Sequence, residues 1–255
     1  MRDTQPRVVQ MVLAPLVFGT GVILLWQALV TGFAIEAFIM PAPFTIGAEF
    51  ASNLQNVLNG MSVTGRNALV GLLTGAALGI LLAIVSALAR VFDQMAVPVV
   101  GALSVVPIVA LAPVLYTMFG AGAETARQLV AALAVFVPVY FNTLKGLRQV
   151  RPVHRDLMRS YAVSSWQATR VVTLPTALPF VFTGLRIASS LAVISALIAE
   201  YFGGPVGGLG KSITSAAASS NYGLAWAYVL GSIILGLVFF SAAVGVEKLV
   251  NRRPG

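Results

Sequence analysis

The chain has 255 residues, 58% of them hydrophobic and only 9% charged, with a formal net charge of +8 and a mean hydropathy of +0.91. About a quarter of a soluble domain is charged, so 16 basic and 8 acidic side chains cannot clothe a water-facing surface of this size. The composition excludes a soluble globular protein, a disordered chain and a fibrous repeat, and it predicts an all-α polytopic membrane protein.

Six charge-poor apolar runs follow in chain order, each near the roughly 20 residues that a helix needs to cross about 30 Å of hydrocarbon. They are Val8–Val30, Ala68–Ala89, Met95–Ala123, Gln128–Leu144, Val171–Ala199 and Leu224–Val246. The first is too long for a signal-peptide core and reads as a retained helix. The runs are continuously apolar, unlike the alternating pattern of membrane strands. Between the first two, Thr31–Ser62 contains PAPFTIGAEF and predicts a short surface helix begun at Pro43 or Thr45. With no internal repeat, the chain reads as one transmembrane domain over residues 1–255.

Gly71, Gly75 and Gly79 give the second run a small-residue face for close helix packing. Pro107 and Pro113 interrupt the third, and the backbone groups they free must be buried in protein or face a water-lined cavity. That places the third run inside the bundle, and a role for the two prolines in a translocation pathway stands beside plain packing. The fifth run carries Arg186, Ser189, Ser190, Ser195 and Glu200 as candidate pathway residues. Arg186 lies about 16 Å beyond Pro175 along a helix, so it either snorkels to the interface or faces the pathway. Glu200 either lines that pathway or is a solvated helix end.

The basic residues set an orientation. With both termini in the cytoplasm, Arg2, Arg7, Arg90, Lys145, Arg148, Arg151, Arg155, Arg159, Arg170, Lys248, Arg252 and Arg253 fall inside, against Arg66, Arg127 and Lys211 outside. The positive charge thus reads as loops facing anionic lipid, and no nucleic-acid partner is expected. Without cysteine and with His154 alone, the chain offers no disulfide framework, thiolate nucleophile or metal cluster. No cofactor, metal or catalytic residue is expected, and the chain does not read as an enzyme. The string GGPVGGLGKS at 203–212 fails as a phosphate loop: Pro205 stands where the first Gly belongs and no strand precedes it. It reads as a flexible outer loop.

The most charged connection, Lys145–Arg170, reads as a short helix, a turn and a return to the membrane, with Pro152 near the helix start. Leu157, Tyr161, Ser164 and Ser165 fall at helical spacing. Such a helix either rests on lipid headgroups or docks a soluble partner.

DLMRSYAVSSWQATRVVTLP at 156–175 resembles the EAA loop of bacterial ATP-binding cassette importer permeases. Anchored on Leu174-Pro175, the motif falls on Asp156, Leu157, Met158, Ala162 and Val172, with Ala162 where the family carries Gly. The flanking sequence, with PAP at 41–43, VPIVALAPVLYTMFG at 106–120 and AEYFGGPVGGLG at 199–210, is similar to the nitrate, sulfonate and taurine subfamily, which includes permeases proposed for riboflavin and pyrimidine precursors. The resemblance implies about six transmembrane helices with a cytoplasmic coupling helix, in the bacterial inner membrane. It also implies a permease homodimer, cytoplasmic ATPase subunits and an extracytoplasmic solute-binding protein. Asp156, Leu157, Tyr161, Ala162, Ser164, Ser165 and Trp166 would then make the ATPase-coupling contacts. The alternative is a secondary transporter or channel. It is disfavoured because the acids lie at span ends rather than at mid-membrane.

Overall fold

The computed structural model describes residues 8–120, 122–203 and 207–250; Arg2, Arg7, Pro205, Arg252 and Arg253 lie outside the described residues. Every regular element among those described is helical. In order they are α1 (Val8–Gly32), α2 (Pro43–Ser52), α3 (Leu54–Leu88), α4 (Arg90–Leu103), α5 (Ala112–Phe119), α6 (Thr125–Arg148), α7 (Pro152–Ser160), α8 (Ser165–Ala168), α9 (Leu174–Phe202), α10 (Leu209–Ala218) and α11 (Tyr222–Val250). A 3-10 turn, Ile108–Leu111, leads into α5, and a π-helical segment, Thr169–Thr173, leads into α9. Five helices are long and apolar enough to cross a membrane, and a sixth span results if α4 and Ile108–Phe119 are taken together.

The buried and exposed faces invert the pattern of a soluble bundle. The interior is made of Ala68, Ala76, Ala131, Ala188, Ala192, Ala196 and their neighbours, whereas Leu16, Leu73, Leu81 and Ile233 point outward. Small residues inside let backbones approach, and the large apolar ones meet lipid. α6 is the centre, packed between α3 and α9. The glycine face of α3 sets the distance: a Cβ on Gly75 would strike the Ala132 carbonyl, and one on Gly71 would strike Ala131. α11 leans on α9, α10 and α2. α1 touches the rest mainly through Trp26, edge-on to Trp226 at 5.7 Å, and Gln27, which accepts from the Phe44 N–H at 3.1 Å.

Three expectations are corrected. The second span extends back to Leu54, because its polar first turns continue the helix beyond the apolar run. The third run is not one straight span: α4 and Ile108–Phe119 meet at 82°. Pro107 is the break, since it lacks an N–H and biases Val106 out of the α region. Pro113 breaks nothing, because it sits in the first turn of α5, where no hydrogen bond is lost. Nor does this segment run through the middle of the single-chain bundle: Ala112 and Tyr116 of α5 are buried against it, but its proline side is not. Close packing of α3, α6 and α9 fills the centre, leaving Pro107 and Pro113 exposed at its edge.

Candidate functional site

Two polar constellations stand at opposite ends of α9. The first is the elbow between α6 and α9. Arg151 adopts an extended conformation, and Pro152 opens α7 in its first turn. The helix stops at Ser160 through a left-handed residue, Ala162, at φ 51°. The Ala162 N–H donates to the Arg159 carbonyl at 3.0 Å and the Val163 N–H to the Met158 carbonyl at 3.1 Å, the paired bonds of a Schellman stop. α8 then starts on a reciprocal cap. The Ser164 hydroxyl accepts from the Gln167 N–H at 3.3 Å, and Gln167 Oε1 accepts from the Ser164 N–H at 3.2 Å.

Ser164 and Ser165 therefore do not share a helix with Asp156 and Leu157, as their spacing had implied; a turn intervenes. Every residue expected to couple is nonetheless exposed: Asp156, Leu157, Tyr161, Ala162, Ser164, Ser165 and Trp166. Tyr161 and Trp166 are 72% and 71% exposed, a large aromatic area on an otherwise basic surface. Arg159 lies 4.0 Å from Asp156, and Arg148 of α6 pairs with Asp93 of α4. Between α7 and α8 a groove of about 260 Å³ is lined by His154, Arg155, Met158, Arg159, Ser165 and Thr169, among others.

The second constellation is buried at the far end of α9. Glu200 is fully buried, not a solvated helix end. Its carboxylate accepts from the Thr64 hydroxyl of α3 at 3.0 Å and from the Gly210 N–H of α10 at 2.8 Å. Arg127 of α6, also fully buried, lies 3.5 Å from Glu200 and 3.9 Å from Glu124. The Leu209 N–H donates to Thr64 Oγ1 at 2.9 Å, and the Tyr116 hydroxyl of α5 donates to the Ala199 carbonyl at 3.2 Å. Five helices thus converge on one polar knot. Gly208 and Gly210 permit it, since a Cβ on either would collide with Glu200.

The remaining pathway candidates are not gathered at one place. Arg186 turns to Glu247 of α11 at 3.3 Å. Buried Ser189 donates to the Arg186 carbonyl at 2.8 Å, and Ser195 is buried. Ser190 lines a groove between α9 and α11, while Pro107 and Pro113 lie on the exposed edge.

Sequence reasoning missed Thr64 and Arg127, the latter taken for a loop charge. The available signal was a charge of each sign, Arg127 and Glu200, at the ends of neighbouring apolar runs. The 209–212 stretch, expected to be flexible loop, opens helix α10.

The sequence family described as "Binding-protein-dependent transport system inner membrane component" matches residues 75–254. The chain is 31% identical to a riboflavin transport system permease protein of Chloroflexus aurantiacus over 229 residues, 89% of this chain and 85% of that protein. It is 27% identical to a putative aliphatic sulfonates transport permease protein of Bacillus subtilis, over 84% of this chain and 78% of the relative. Over a shorter stretch, 61% of this chain and 54% of the relative, it is 33% identical to the taurine transport system permease protein of Escherichia coli. The crystal structure of an amino acid ABC transporter has the same fold, with a TM-score of 0.63 at 15% identity, covering 78% of this chain and 95% of that one.

Proposed function

The chain belongs to the family of binding-protein-dependent transport system inner membrane components, and from that premise we propose that it is the membrane-spanning subunit of an ATP-driven importer, one permease domain over residues 1–255. Like its transport relatives it is a multi-pass inner-membrane permease and not an enzyme. Two copies form the pathway within membrane lipid, both termini of each lie in the cytoplasm, and a solute-binding protein delivers cargo to the outer face. The cargo is a small organic or anionic solute, of the sulfonate and taurine kind or the riboflavin and pyrimidine-precursor kind.

The observation that carries this reading is the elbow. Leu157 and Tyr161 stand exposed at the Schellman-stopped end of α7, and Trp166 at the boxed start of α8. Aromatic residues on a rigid turn are the anchors that a partner surface buries. We assign the ATPase contact to Asp156, Leu157, Tyr161, Ala162, Ser165 and Trp166, with Ser164 acting through its cap on α8. From the π segment α9 runs 29 residues to Phe202, about 44 Å at 1.5 Å per residue. It is a lever of the length needed to carry ATPase motion from the elbow to the knot at Glu200. Arg186, Ser189, Ser190, Ser195 and Glu200 ride on that lever. Pro107 and Pro113 lie on the edge of the single chain, where the second copy would cover them.

Affinity purification of the tagged chain should recover an ATPase subunit at about one per permease. Asp156→Arg and Ser165→Arg should abolish ATP-driven uptake while leaving membrane insertion intact, because surface substitutions away from packed features shift stability by only about 0.5 kcal/mol. Normal uptake by both variants, or uptake that follows an ion gradient and ignores ATP, overturns the assignment.

A further inference from the structure

Beyond the knot, α10 presents a second face. Lys211, Ser212, Ser215 and Ser219 recur along it at helical spacing. With Asn221, Tyr228 and apolar neighbours of α11 they line a groove of about 340 Å³ in the angle between the two helices. That volume is at the small end of the roughly 300–1,000 Å³ range of ligand pockets.

The polar groups there are donors in search of an acceptor. Lys211 takes part in none of the ion pairs among the described residues. Serines in helices often bond back to their own backbone, as Ser219 does to the Ser215 carbonyl at 3.0 Å. The hydroxyls of Ser212 and Ser215 make no such bond among the described residues. Asn221 spends its Oδ1 on the Leu224 N–H at 3.2 Å, so its amide NH₂ is the end left over. Tyr228 is 8% exposed, and its hydroxyl has no hydrogen-bond partner among the described residues, yet the residue lines the groove.

Among the described residues, no carboxylate lines the groove. Glu200 is spent on Thr64 and Gly210, and Glu49, behind Gly223, accepts from Asn53. The face is also held in place. Leu209 and Gly210 of the first turn are buried and tied to Thr64 and Glu200. The helix backbone that carries the donors is thus set in folding rather than in binding.

We infer that the groove of Lys211, Ser212, Ser215, Asn221 and Tyr228 is a binding site for the oxyanion head of a small solute, a sulfonate or carboxylate. An ammonium flanked by neutral donors in a half-apolar groove suits the two or three acceptor oxygens of such a head and leaves a neutral solute with no charge partner. The inference rests on the importer reading, in which this end faces the incoming cargo, and it favours the anionic branch of that reading.

The test uses the chain with its partner subunits in lipid nanodiscs, without ATP, and two probes of one shape. Methanesulfonate carries the charge; methanesulfonamide does not. The wild type should bind methanesulfonate saturably and discriminate against the amide. Lys211→Gln should weaken that binding about tenfold or more, the loss of one charge-assisted hydrogen bond. Ser215→Ala should weaken it less, and Lys211→Arg should largely retain it. The proposal is overturned if the wild type binds neither probe or both equally, or if Lys211→Gln leaves methanesulfonate binding unchanged. It is equally overturned if that variant weakens only docking of the solute-binding protein, for then the anion recognised is a protein side chain. Whether an ATPase subunit is present in the same preparation reports separately on the importer reading.

Discussion

The two ends of α9 treat their charges in opposite ways. At the elbow, Arg155, Asp156 and Arg159 stand in solvent and make one weak contact among themselves. At the far end, Arg127 and Glu200 are sealed in the bundle; Glu200 is hydrogen-bonded to α3 and α10 and lies 3.5 Å from Arg127 of α6. Exposed charges are cheap to rearrange and contribute little to stability, which suits the partner contact proposed for the elbow. Buried charges fix geometry, because each is expensive to leave unpaired. Substitutions in the knot should therefore move the melting point, and substitutions in the elbow should move coupling and leave melting alone.

The largest effect is expected from Arg127→Met. It strands the Glu200 carboxylate among Thr64, Gly210 and apolar neighbours, and breaking one side of a buried pair costs about 3–5 kcal/mol. The pair itself is imperfect: the Arg127 guanidinium nitrogens have no hydrogen-bond partner among the described residues, so the attraction to Glu200 is Coulombic. Adding Glu200→Gln to Arg127→Met removes the orphaned charge and should restore most of the loss. Fluorescence-detected melting of the detergent-solubilised variants measures both. If Arg127→Met melts like the wild type, or the second substitution restores nothing, the knot is not held by its charges.

Packing beneath the knot gives a smaller effect with a built-in control. Gly75 lies against the Ala132 carbonyl and Val135, whereas a Cβ on Gly236 of α11 meets nothing within 4 Å. Gly75→Val should cost about 1–3 kcal/mol through overpacking, and Gly236→Val should melt near the wild type. Equal melting of the two would mean that α3 and α6 are not in backbone contact.

These contrasts also explain what the sequence disclosed. Runs of 17 to 29 apolar residues without loops of other character are visible because lipid demands them, and the glycine spacing on α3 is visible because close approach demands it. Glu200 and Arg127 were visible only as charges at span ends. Their pairing joins residues 73 positions apart through the packing of α6 on α9, and nothing local encodes it. α10 was hidden for a different reason. Its composition of Gly, Ser and Ala matches a loop, and what makes it a helix is tertiary: Leu209 buried under Gly60 and Gly231, and its first N–H groups taken by Thr64 and Glu200. At the elbow, Pro152 marked the start of α7. The second start, at the Ser164–Gln167 cap, went unread because Ser164 and Ser165 also fall at helical spacing from Leu157, and the stop at Ser160 was masked by an alanine standing where Gly usually ends a helix.

That alanine supplies the smallest prediction and the one that most directly tests the elbow's backbone. Ala162 holds φ at 51°, a conformation that costs an L-residue roughly 1–2 kcal/mol and that glycine adopts freely. Ala162→Gly relieves this strain but gives back about 0.5–1 kcal/mol in unfolded-chain entropy, so the net gain should be about 0.5–1 kcal/mol, felt locally. Ala162→Val forces a β-branched residue into the same region and should act in the other direction. Because the Schellman bonds to Arg159 and Met158 depend on that φ, amide hydrogen exchange over residues 152–163 should slow in the glycine variant and quicken in the valine variant. The Gly75 and Arg127 regions should exchange as before. If the order is reversed, the turn does not take this shape, and the exposed aromatic anchors on either side of it are not held in the register that a partner would read.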